Sequence, residues 1–153
     1  MLKGFERVVA VSHHTKKDLI ELVGIPEDRI EVIYSGLPDY NTGSGPDGAE
    51  LDRVRKKYGL PEKFILYLGT LEPRKNVRGA MDAFSLCCLR GWIDRDYCLV
   101  LAGARGWKYE DIFSAWRKSR FRDRMIFTGY VDEGDKAALY TLSSLFVYPS
   151  FYE

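Results

Sequence analysis

Residues 64–76 read FILYLGTLEPRKN, an apolar run from Phe64 to Leu68, then Gly69 and Thr70, then the loop Leu71-Glu72-Pro73-Arg74-Lys75-Asn76. The run shows no alternation of polar and apolar residues, so it predicts a strand covered on both faces. Glycine and proline punctuate its end. From about Asn76 the period changes, with Val77, Ala80, Met81, Phe84 and Cys88 at helical spacing. Strand, loop and helix in that order form the repeating unit of a parallel sheet.

The same unit recurs downstream. Cys98 to Ala102 predicts the next strand and Tyr109 to Lys118 a helix; Met125 to Phe127 predicts a strand, Asp132 to Leu142 a helix, and Leu145 to Tyr148 a last strand. A short helix near Leu51 to Tyr58 precedes the series. Upstream, Arg7 to Val11 and Ile30 to Tyr34 read as strands around a helix from Ser12 to Val23, with Leu19, Ile20 and Leu22 on its buried side and Gly24 and Pro26 stopping it. The Gly-, Pro-, Asp- and Asn-rich stretch 36–50 predicts a linker or mobile loop. The expected architecture is therefore α/β, a parallel sheet with helices on both faces, with segments 1–35, 36–50 and 51–153 as its organisation.

Composition excludes several functions. The 153 residues carry 23 Lys and Arg against 22 Asp and Glu, too balanced to attract polyanions, so no nucleic acid is expected as a partner. The basic clusters at Arg53–Lys57 and Arg117–Arg122 adjoin helical patterns and read as solvated helix faces. The three cysteines, Cys87, Cys88 and Cys98, have neither zinc nor disulfide spacing and fit a reducing compartment. No apolar run reaches the ~20 residues of a membrane-spanning helix.

In open parallel sheets ligands bind beyond the carboxyl ends of the strands, which directs attention to four loops. Gly69 to Asn76 joins a permissive glycine, two cations and a helix start, a combination suited to a diphosphate because backbone donors and the helix N-terminus favour an anion that Arg74 and Lys75 neutralise. An ordinary turn with solvated charges explains that loop equally well on its own. Gly103-Ala104-Arg105-Gly106 and Gly129-Tyr130-Val131 follow the next two strands, and Pro149-Ser150-Phe151-Tyr152-Glu153 brings a carboxylate to the end of the last. Asp94-Arg95-Asp96 resembles a metal-binding pattern but precedes a strand, on the wrong side of the sheet for a ligand site. His13-His14 are adjacent in a helix and share no face, so no metal site is expected.

Taken in order, FILYLGTLEPRKN, LVLAG at 99–103, FTGYVDEGDKAALY at 127–140 and VYPSFYE at 147–153 resemble the C-terminal domain of group 1 glycosyltransferases, with VVAVSHHTKKDL and IEVIYSGLPD similar to the end of that family's N-terminal domain and the crossover from it. The resemblance implies one Rossmann-like half of a two-domain GT-B enzyme, incomplete and cut inside a paired-glutamate motif of which Glu153 is the first member. It implies transfer of a hexose from a GDP- or UDP-sugar to an acceptor hydroxyl with retention of configuration and without a metal or other cofactor, in polysaccharide or glycoconjugate synthesis.

By the same resemblance Arg74 and Lys75 hold the donor diphosphate, Glu153 sits beside the sugar, and Gly69, Thr70, Gly103, Gly129, Tyr130, Val131 and Ser150 complete the donor site. Many relatives carry arginine at the position of Thr70, so Arg74 is expected to supply that guanidinium. The acceptor, a saccharide or a lipid-linked one, belongs to the missing domain, and the chain alone is expected to be inactive. The intact enzyme is expected in the cytoplasm, peripheral attachment to the inner membrane face being compatible with it. The alternatives are an epimerase or phosphorylase on the same two-domain plan, or a non-catalytic nucleotide-binding remnant.

Overall fold

A computed structural model describes residues 4–36 and 45–152. The chain forms two compact units, Met1–Gly43 and Ser44–Glu153. In the first, β1 (Val8–Ala10) pairs in parallel with β2 (Ile30–Val32), Val8 opposite Ile30. Between them α1 (His13–Asp18) starts at Ser12, whose Oγ accepts from the Thr15 amide at 3.0 Å. The helix then winds on as a π-type turn, Leu19–Val23, and stops at Gly24, which takes φ 72°. Ala10, Ile25 and Ile30 form the small core, with Leu19, Ile20 and Val23 packed on it. Leu22, expected on the buried side, is 80% exposed. The π turn changes the angular step per residue and carries it off the apolar stripe.

The second unit holds the sheet. Its strands are β3 (Phe64–Leu68), β4 (Cys98–Ala102), β5 (Met125–Gly129) and β6 (Leu145–Phe146), all parallel in the order β5-β4-β3-β6. Although β3, β4 and β6 are apolar along their length, their side chains divide by pleat. Phe64, Leu66, Val100 and Ala102 face one layer with Val54 of α2 (Gly48–Tyr58) and Ala138 and Leu139 of α5 (Lys136–Leu142). Tyr67, Leu99, Leu101 and Met125 face the other, with Val77, Met81 and Phe84 of α3 (Val77–Arg90) and Ile112 of α4 (Glu110–Lys118). Helices therefore cover both faces, which is why the strands need no polar positions.

Three local readings change. Helix α2 begins at Gly48, inside the stretch assigned to the linker, because the Asp47 carboxylate accepts from the Glu50 amide at 2.8 Å and caps it. Helix α5 begins at Lys136 after a 3₁₀ turn, later than Asp132. The last strand is only Leu145–Phe146; both residues are exposed, while Val147 is half-buried against α3's layer. Residues 37–44 of the linker's expected range, and Glu153, lie outside the described residues.

Candidate donor site

Beyond the last residues of β3 and β4 the two loops stay zipped together. Gly69 donates its amide to Ala102 O at 2.9 Å, Leu71 to Ala104 O at 2.9 Å, and Gly106 to Leu71 O at 3.1 Å. The backbones are so close that a Cβ on Gly103, which has φ 146°, would lie 2.0 Å from the Gly69 carbonyl oxygen. No side chain fits there. On the other side Gly103 donates to Gly129 O at 2.8 Å, across a register shift in which Ala102 pairs with Gly129. That shift leaves Thr128 out of the ladder, turns Gly129 to φ 75° and re-aims the residues that follow.

The three loops enclose a cleft of about 260 Å³ lined by Leu68, Gly69, Thr70, Gly103, Ala104, Tyr130, Val131, Lys136 and Tyr140. Five residues proposed from sequence, Gly69, Thr70, Gly103, Tyr130 and Val131, thus meet in one place. Lys136 and Tyr140 were missed. They sit one turn apart on α5, so the helical spacing that follows the β5 loop is the signal that could have found them.

Lys75 and Arg74 lie next to this cleft and do not line it. Lys75 ends the 3₁₀ turn Pro73–Lys75 and is 9% exposed. Its ammonium stands 5.0 Å from the centroid of Tyr148. Tyr148 in turn packs on Tyr67, ring centroids 5.7 Å apart, and would meet a Cβ on Gly69 at 2.9 Å, so this one ring joins the cation to the cleft wall. Arg74 reaches outward: its guanidinium donates to Glu72 Oε1 at 3.1 Å and to the Tyr152 carbonyl at 3.1 Å. The half-buried Ser150 belongs to the same terminal segment, tied back by the Phe151 amide donating to Arg74 O at 3.0 Å.

Asn76 fixes the corner between them. It takes the left-handed conformation, φ 51°, which asparagine tolerates better than other non-glycine residues because its side chain hydrogen-bonds locally. Its Oδ1 accepts from the Gly79 amide at 3.1 Å, capping α3, and its Nδ2 donates to the Pro149 carbonyl at 3.0 Å. The amides of Leu71, Lys75 and Asn76 are all spent on backbone carbonyls. Those three amides are therefore not available to an anion.

A second cleft of about 340 Å³ opens at the start of α3, but Asp82 and Asp111 line it against one cation, Arg78. Its carboxylates repel a diphosphate. The Asp94-Arg95-Asp96 stretch has a structural role. Asp96 pairs with Lys63 at 2.8 Å, which holds its carboxyl below the usual carboxylate range, and the Asp94 carbonyl accepts from Arg124 at 2.7 Å. Burial raises the thiols of Cys88 and Cys98, as suits packing residues. Among the described residues no group of three His, Cys, Asp or Glu could hold a metal ion, and no helix is long and apolar enough to cross a membrane.

Against known protein families, residues 50–153 match the family described as Glycosyl transferases group 1. The chain belongs to the group 1 glycosyltransferases. Residues 1–39 match Glycosyltransferase Family 4. The chain is 33% identical over 153 residues to O-antigen chain mannosyltransferase B of Escherichia coli, covering 99% of this chain and 39% of that protein. It is 34% identical over 157 residues to the serotype-specific mannosyltransferase WbdA of Escherichia coli, with 99% and 19% covered. This group 1 glycosyltransferase chain thus spans about two-fifths, or less, of the length of these relatives.

Among solved structures, a glycosyltransferase from Rickettsia africae superposes with a TM-score of 0.77 at 24% identity, covering 95% of this chain and 38% of its own. Anabaena HepE in complex with UDP-glucose superposes at 0.76 with 18% identity, covering 97% and 39%. The Rossmann-like α/β fold of a partial GT-B glycosyltransferase is therefore the fold of this chain.

Proposed function

We propose that this chain supplies the nucleotide-sugar-binding part of an enzyme that transfers a hexose, with mannose favoured, from a nucleotide-diphosphate donor to an acceptor hydroxyl with retention of anomeric configuration. The observation that carries the reading is the convergence of the loops after β3, β4 and β5 on one cleft, with the nearly buried ammonium of Lys75 joined to its wall through Tyr148. The choice of mannose rests on the two relatives at 33% and 34% identity, both named mannosyltransferases. The nucleotide lies across the cleft against Tyr130 and Val131, with the diphosphate toward Lys75.

Departure of the sugar leaves negative charge on the diphosphate. A cation held in place before the reaction stabilises that charge without reorganising, which lowers the barrier to the step itself. Lys75 does this first and Arg74 second, so protein cations fill the part that a divalent metal takes elsewhere. By the family resemblance the Glu153 carboxylate adjoins the sugar. The acceptor is a saccharide or lipid-linked saccharide of a surface polysaccharide, and the reaction is cytoplasmic.

The test is product analysis on the full-length protein with GDP-mannose, GDP-glucose and UDP-glucose, using NMR to assign the new anomeric centre. Transfer from GDP-mannose with an α-linked product supports the reading. An inverted product, or epimerised donor without transfer, contradicts it.

A further inference from the structure

The loop that carries Tyr130 and Val131 is held from behind by a helix on the far side of the cleft wall. Tyr58, at the last turn of α2, accepts the Asp132 amide on its hydroxyl at 3.1 Å and donates that hydroxyl to Asp135 Oδ2 at 2.8 Å. Asp135 is 4% exposed and is gripped from α2 by Arg53 at 2.7 Å and Lys57 at 2.6 Å, while Lys57 also reaches Asp132 at 2.6 Å. Val131 is buried in the same layer as Val54 and Leu60, and the next residue outward, Tyr130, is 67% exposed at the cleft. The strand bulge at Gly129 fixes one end of this loop, and the Tyr58 hydroxyl fixes the other.

We propose that Tyr58 is a positioning residue for the donor: its hydroxyl, oriented by Asp135, sets the backbone of residues 130–132 so that Tyr130 and Val131 present a preformed surface to the nucleotide. This rests on the donor-site reading given above. A loop held in the bound geometry avoids an ordering cost on binding, so its release weakens affinity while leaving the chemical step alone.

Tyr58→Phe removes one oxygen and keeps the ring in place. In the full-length protein it is expected to raise the donor KM, and the Kd for GDP and UDP by calorimetry, about fivefold to tenfold, with kcat within about twofold. The exchange of the Asp132 amide with solvent is expected to speed up by more than about tenfold, with the amides of β4 unchanged. Arg53→Gln touches Asp135 and not the loop, so it separates stability from positioning: it is expected to lower the melting temperature and leave KM unchanged. A Tyr58→Phe protein that binds nucleotide as the wild type does, or an Arg53→Gln protein that shows the same KM rise, overturns the proposal alone. Wild-type protein that binds neither nucleotide overturns the donor-site reading as well.

Discussion

The Lys75 ammonium lies 5.0 Å from the centroid of the Tyr148 ring, in a residue only 9% exposed, which makes Lys75 the most buried of the cations beside the cleft. A cation held on an aromatic face keeps its charge while losing much of its water, so it interacts strongly with an incoming anion. Lys75→Ala in the full-length protein is expected to lower donor turnover at least about tenfold, each factor of ten being ~1.4 kcal/mol. The loss is expected to fall more on kcat than on donor KM, and Lys75→Arg to recover part of it. Steady-state kinetics on variants shown to be folded by circular dichroism checks this.

Arg74 is expected to matter less than Lys75. Its side chain is 42% exposed and already spends its fork on Glu72 and the Tyr152 carbonyl, so part of its charge is offset before a donor arrives. Arg74→Ala is expected to reduce kcat/KM less than about threefold, under ~0.7 kcal/mol. A loss as large as that of Lys75→Ala would show that Arg74 leaves Glu72 to engage the donor.

Two glycines at the cleft separate steric need from backbone need. Gly103 combines φ 146° with a carbonyl 2.0 Å from any Cβ, whereas Gly129 has φ 75° and open space around it. Gly103→Ala is expected to destabilise the fold by roughly 2–4 kcal/mol through strain and forced separation of the β3 and β4 loops. Gly129→Ala is expected to cost only about 1 kcal/mol, the penalty of a left-handed residue. Urea denaturation of both variants measures the difference directly.

Asp135 makes stability depend on pH. Its hydrogen bonds with Lys57, Arg53 and Tyr58 hold the carboxyl far below the usual carboxylate range in the folded state. A carboxyl whose folded pKa is depressed contributes stability above its unfolded value of about 4, and loses it as pH falls through that value toward the folded one. Asp135→Asn is expected to destabilise by roughly 2 kcal/mol near pH 7. The gap between wild type and variant is expected to close progressively below about pH 4. Melting curves across that range provide the check.

The sheet was legible because β3 and β4 are uniformly apolar and its helices periodic: Phe64–Leu68 and Cys98–Ala102 appear with the bounds read from sequence. The cleft was legible in part, since Gly69, Gly103 and Tyr130 follow strands and the topology must bring strand ends together. What sequence did not carry is side-chain contact at long range. Tyr58 and Asp135 are 77 residues apart, and nothing local marks that tyrosine as a partner of the cleft loop. The basic run Arg53–Lys57 looked like a solvated face because its partners, Asp132 and Asp135, lie three strands further along the chain. The Leu22 misreading has a backbone cause, a π turn that period counting assumes away.

The most direct test of the central claim is amide chemical-shift mapping of the protein titrated with GDP and UDP. If the strand-end cleft holds the donor nucleotide, the largest shifts fall on residues 69–71, 75–76, 103–106 and 129–132, and they diminish in Lys75→Ala. Shifts confined to the cleft of Arg78, Asp82 and Asp111, or absent with both nucleotides, would contradict the account.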